Sequence, residues 1–146
     1  MGLAEYVTYR LGRTPGEQAR SFLGRPFGAR SLADFWRYWN PVWGYFLLFY
    51  CYRPLRARLP RAAAAWGTFV ACGLSHDLPF AVPAYLTTGR LPLFTLTAFF
   101  ALVGGLVVVT ERLRLRFTRL PVAVRWLLHG AVLFGCYRLA LYATRR

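Results

Sequence analysis

The chain has 146 residues, of which 57% are hydrophobic, 18% aromatic and only 16% charged; disorder is excluded, since it needs low hydrophobicity. All 19 basic residues are arginine against 5 acidic ones, a formal net charge of +14. On a soluble surface that charge would suggest nucleic acid, but here the arginines separate long apolar runs, so no nucleic-acid partner is expected and a membrane protein is, with arginines acting as topology signals and contacts to lipid headgroups.

Residues 1–37 are mixed and polar, with breakers at Thr14-Pro15-Gly16 and Arg25-Pro26-Phe27-Gly28; they read as a cytoplasmic segment of short surface helices and turns. No long apolar run precedes residue 40, so a cleaved secretory signal is not expected and insertion relies on internal segments. Ser31-Leu32-Ala33-Asp34 resembles a capping box opening a helix. The membrane domain is expected over 38–146. Its first stretch, Phe35 to Tyr52, is densely aromatic but interrupted by Arg37, Asn40, Pro41 and Gly44, which suits an interfacial or re-entrant segment better than a full crossing.

Three further stretches have the roughly 20-residue length of a membrane helix. Ala62 to Leu86 follows a basic loop, Arg53 to Arg61, and carries His76, Asp77, Pro79 and Pro83 in its interior; the prolines, lacking a backbone donor, predict a break or kink just past the His-Asp pair. Leu91 to Val109 holds no charge, and Pro121 to Tyr142, after a second basic loop, holds Arg125, His129 and Arg138. The expected fold class is all-α integral membrane, with three spans and one re-entrant or interfacial segment. If Phe35 to Tyr52 dips in and returns, the loop arginines divide 14 on one side against 3 on the other, so the N-terminus and both basic loops are placed on the inner face of a bacterial cytoplasmic membrane, multi-pass.

Chemistry has few candidates. Imidazole titrates near neutrality, so His76, buried in an apolar stretch, suits a general base that removes a hydroxyl proton. Asn40 offers a neutral amide that can donate to an oxyanion or position the acceptor without bringing charge into an apolar site. Asp77 is costly in the middle of a membrane helix and calls for a partner or a pathway. Ser75, His76 and Asp77 cannot form a triad, because neighbours on a helix point about 100° apart. His129 is the second-choice base, with Arg125 four residues before it pointing to a packing role. Cys51, Cys72 and Cys136 stand singly in apolar runs and read as buried small side chains. Cys72 and His76 share a helix face, yet zinc needs more ligands than these two, so no metal is expected.

The series Phe35-Trp36-Arg37-Tyr38-Trp39-Asn40, then Tyr52-Arg53-Pro54-Leu55, then His76 in an apolar helix 36 residues after Asn40, resembles the membrane-bound O-acyltransferase family over roughly Ser31 to Pro79. The context Ser75-His76-Asp77 departs from the WHG-like form and is nearer the HE-type form of the sterol and diacylglycerol branch. Family members are several times longer, so the chain resembles a miniature of their C-terminal half. The resemblance implies transfer of an acyl group from acyl-CoA or a similar thioester, a co-substrate rather than a tightly bound cofactor, to an alcohol, with His76 and Asn40 as catalytic residues. Expected partners are membrane lipids and, because so few spans enclose little volume, a second copy or a second membrane subunit. The competing expectation is a non-catalytic membrane module that binds lipid or a partner protein.

Overall fold

The computed structural model describes residues 1–145. Every regular element is helical, and no strand occurs among the described residues. Two short helices open the chain: α1 (Leu3–Leu11) and α2 (Pro15–Phe27). The break expected at Thr14-Pro15-Gly16 is the start of α2. Thr14 Oγ accepts the Glu17 N–H at 3.3 Å, and the Glu17 carboxylate accepts the Thr14 N–H at 3.2 Å and the Arg13 N–H at 2.7 Å, a reciprocal cap with proline at the position where its missing donor is harmless. Those backbone donors, Thr14 first and then Arg13, hold the Glu17 carboxyl below the usual carboxylate range. The break expected around Pro26 comes later, because α2 runs through that proline to Phe27.

The aromatic stretch divides at Trp39-Asn40. Helix α3 (Leu32–Tyr38) opens with the Ser31 hydroxyl accepting the Asp34 N–H at 3.0 Å. Trp39 is extended and Asn40 left-handed (φ 39°, ψ 76°), a conformation asparagine tolerates better than most residues. Helical backbone then continues from α4 (Pro41–Phe46) through a π-helical segment, Leu47–Tyr52, into α5 (Arg53–Arg58). Pro54 cannot donate to the carbonyl four residues earlier and its ring crowds that carbonyl; the widened register lies directly upstream of it.

Three long helices follow: α6 (Arg61–Thr88), α7 (Thr95–Arg112) and α8 (Val122–Thr144). Of the break or kink expected after Asp77, the break does not occur, and helical geometry passes through Pro79 and Pro83 to Gly89, whose φ of 67° ends α6. Each proline forfeits one backbone bond. Asp77 ties the helix to α7 just before Pro79, and the Thr87 hydroxyl donates to the Pro83 carbonyl at 3.0 Å. Helix α7 begins four residues later than the apolar run that announced it, because its first turn is set by the Asp77 cap rather than by hydrophobicity.

Helices α7 and α8 are each long and apolar enough to cross a membrane, and only 22% and 17% of their apolar windows are buried. In a soluble protein such helices would lie inside the core. Helix α6, at about 42 Å for 28 residues, is longer but diluted by its glycines, prolines and polar residues.

The most extensive helix pair is α6 with α7. Trp66 Nε1 donates to the Ala101 carbonyl at 3.0 Å, and two glycines allow close approach: Gly73 faces Thr97, and Gly104 faces the Phe69 side chain. Leu32, Val103, Val107 and Cys136 form the core, so α3, α7 and α8 converge on one apolar centre. The N-terminal region packs into this unit. Phe117 N–H donates to the Arg30 carbonyl at 2.7 Å, and Arg125 donates to the Gly28 carbonyl. The expected boundary between 37 and 38 falls inside α3, whose Phe35 is 1% exposed.

Candidate active site

Helices α1, α3, α4, α6 and α7, with the π-helical segment, line an open cavity of about 370 Å³, and both His76 and Asn40 face it. Sequence spacing alone could not place them together. The wall is mostly apolar, with Trp36, Trp43, Leu47, Leu48, Phe69 and Phe100 among its residues.

His76 Nδ1 lies 2.7 Å from the Cys72 carbonyl. A carbonyl only accepts, so in the neutral ring Nδ1 carries the proton and Nε2 the lone pair that a general base requires. Two rings frame the imidazole: Trp43 edge-on, with centroids 5.3 Å apart, and Phe100 tilted at 5.4 Å. Asn40 caps α4, its Oδ1 accepting the Trp43 N–H at 3.2 Å. The oxygen is thereby occupied, and the amide Nδ2 makes no hydrogen bond among the described residues. Asn40 therefore positions Trp43 as well as presenting a donor, and Trp43 in turn covers His76.

Asp77 has a different task from its neighbour. Its carboxylate crosses to α7 and accepts the Leu96 N–H at 3.3 Å, the Thr97 N–H at 2.7 Å and the Thr97 hydroxyl at 2.7 Å. The N-terminus of α7 has no cap from its own flanking residue, so a carboxylate on α6 satisfies backbone donors that would otherwise lack a partner. Asp77→Ala is expected to cost about 2 kcal/mol, and Asp77→Asn, which keeps one accepting oxygen, clearly less. Thermal unfolding in detergent reads both; equal midpoints for wild type and Asp77→Ala would contradict this role.

His129 lies outside the cavity. It is 1% exposed, stacked against Phe35 at 5.2 Å, with Nδ1 2.7 Å from the Arg125 carbonyl and 3.1 Å from the Phe27 carbonyl. It joins α8 to the end of α2. Phe35 also stacks on Trp39 at 5.5 Å, so the FWRYWN stretch contributes a packing nucleus as well as Asn40. Cys72 and Cys136 are buried and free. Among the described residues no three His, Cys, Asp or Glu side chains gather as a metal site.

Three cavity residues gave no usable signal in the sequence. Tyr6 and Arg10 come from α1 in a stretch read as a polar cytoplasmic segment, and Phe100 from the cleanest apolar run. Only the helix packing brings them in.

No family profile matches the chain, and no solved structure matches it. It is similar to diacylglycerol O-acyltransferase 1B of Glycine max, with 33% identity over 101 residues, covering 67% of this chain and 19% of that protein. Diacylglycerol O-acyltransferase 1 of Arabidopsis thaliana is 32% identical over 101 residues, covering 67% of this chain and 18% of its own length. The chain thus spans about a fifth of the length of the curated relatives it matches. This partial similarity to acyltransferases, together with two apolar helices whose faces are largely exposed, fits a membrane-associated protein.

Proposed function

We propose that the chain is a membrane-embedded O-acyltransferase of the membrane-bound O-acyltransferase type, moving an acyl group from acyl-CoA or a similar thioester to an alcohol. The observation that carries this reading is the shared cavity of His76 and Asn40, with the Nδ1 proton of His76 committed to Cys72. His76 Nε2 takes the hydroxyl proton of the acceptor as its oxygen attacks the thioester carbonyl. The oxyanion that forms receives a hydrogen bond from the free Asn40 amide. Collapse breaks the C–S bond, and the imidazolium returns its proton to the leaving thiolate. The apolar walls shelter the intermediate from water. In this reading α6, α7 and α8 cross a bacterial cytoplasmic membrane, Phe35 to Tyr52 stays re-entrant or interfacial, and the N-terminus with both basic loops faces inward, as the arginine distribution favours. A second copy or another membrane subunit completes the chamber.

The test supplies labelled acyl-CoA and a panel of lipid, sterol and sugar alcohols, diacylglycerol included, to the purified chain in nonionic micelles. Labelled ester is expected. Asn40→Asp keeps an oxygen that caps α4 and removes the amide donor, and is expected to slow esterification about 10² to 10³-fold. Unchanged turnover in Asn40→Asp would remove the amide from the chemistry. One observation favours a second reading, a non-catalytic module that binds lipid or a partner: the short share of the relatives that the chain covers. Absence of ester from every alcohol would select it.

A further inference from the structure

Arg10 projects from α1 into the wall of the same cavity, and its surroundings differ from those of the other arginine there. Arg37 is neutralised by Asp34 at 2.5 Å. Arg10 has no carboxylate within 4.0 Å among the described residues, and its Nε is sealed from water with no hydrogen-bond partner. The guanidinium rests 5.1 Å from the Tyr6 ring centroid and 5.7 Å from that of Tyr9, which holds its plane but leaves its donors free. Arg25 donates to the Arg10 carbonyl and so fixes the end of α1 against α2. A guanidinium stays charged at any physiological pH, and a desolvated donor without a partner is costly. Because Nε is closed to water it is closed to a ligand as well, so the terminal guanidinium nitrogens, which no described residue pairs, are the donors open to an oxyanion in the cavity.

We propose that Arg10 makes this cavity selective for an amphiphile that carries a phosphate group, its oxygens on the guanidinium and its hydrocarbon against Trp36, Leu47, Leu48 and Phe100. The inference rests on the cavity being the substrate site, and it adds a class of ligand: a phosphate-bearing one, where the relatives are named for the neutral diacylglycerol. The planar fork of arginine suits phosphate oxygens in pairs. A phosphate here comes either from a lipid headgroup or from a nucleotide-bearing thioester.

Binding is read without catalysis, from the emission of Trp36, Trp39 and Trp43, which all line the cavity. The full chain in nonionic micelles is titrated with lysophosphatidic acid, with monoacylglycerol of the same chain length, and with coenzyme A. Lysophosphatidic acid is expected to bind at least tenfold more tightly than monoacylglycerol. Arg10→Gln is expected to weaken it about 10- to 100-fold, with Arg10→Lys between the two. Arg13→Gln, whose side chain lies outside the cavity wall, serves as the control for lost surface charge. Displacement of the lipid by coenzyme A would assign the phosphate to the thioester donor, and indifference to coenzyme A would assign it to a lipid acceptor; both outcomes support the phosphate subsite. Equal affinity for monoacylglycerol, or unchanged affinity in both Arg10 variants, would overturn it. Tight binding of lysophosphatidic acid by a chain that forms no ester from any alcohol would sink the catalytic reading and leave this one standing, so the two failures give different results.

Discussion

His76→Ala is expected to lower the acyl-transfer rate about 10² to 10⁴-fold while leaving membrane insertion and expression intact. The hydrogen bond that orients the ring runs within α6, from Nδ1 to the carbonyl of Cys72, so no hydrogen bond between helices is lost and only the ring contacts with Trp43 and Phe100 go. The cap on α7 belongs to Asp77 next door and survives the change. His129→Ala should behave in the opposite sense. Its ring is buried between Phe35 and Phe117 and reaches the Phe27 carbonyl, so truncation is expected to cost about 2 to 3 kcal/mol of stability with a much milder effect on rate. Measuring turnover and thermal midpoint on both variants separates the roles. A His76→Ala protein that esterifies at the wild-type rate would refute the general-base assignment, whatever its stability.

Gly73→Ala is expected to be among the most destabilising single substitutions in the chain, at about 3 kcal/mol. A Cβ at this position would sit 2.4 Å from Thr97 Cα and 2.9 Å from both the Leu96 carbonyl oxygen and the Thr97 nitrogen. All three are backbone atoms, which have no rotamer through which to yield, so α6 and α7 must separate. The separation would pull Thr97 away from Asp77 and Phe100 away from His76, so turnover should fall along with stability. Gly105→Ala is the control, since nothing lies within 4 Å of a Cβ there and alanine is the better helix former by about 1 kcal/mol. Detergent-phase thermal unfolding compares the two. A Gly73→Ala midpoint equal to that of Gly105→Ala would mean the helices are not in this register.

Composition and apolar run length determined the helical, membrane-directed class of this chain, because both are set residue by residue: a segment such as Leu91 to Val109, with no charge, has few other stable forms. Residue chemistry and the family resemblance made His76 and Asn40 candidates, since imidazole and amide keep their proton-transfer and donor properties wherever the chain takes them; that they share a cavity came from the packing. The capping signal at Ser31 was legible for the same reason, being a contact between residues three apart, whereas Thr14-Pro15-Gly16 read only as a break and the structure makes it a cap. What only the tertiary structure decided are pairings between distant segments. Asp77 called for a partner or a pathway that the sequence could not specify, and its oxygens meet backbone donors on another helix about twenty residues away. Pro79 and Pro83 signalled a break or kink by the rule for an isolated helix; the backbone stays helical through them, with Asp77 tying α6 to α7 just before Pro79. Arg10 carried no signal at all in a polar stretch, because a side chain's partner, or its lack of one, exists only once α1 has been laid against α4. Local propensities are written along the chain, whereas the satisfaction of each buried donor and charge depends on which helices pack together.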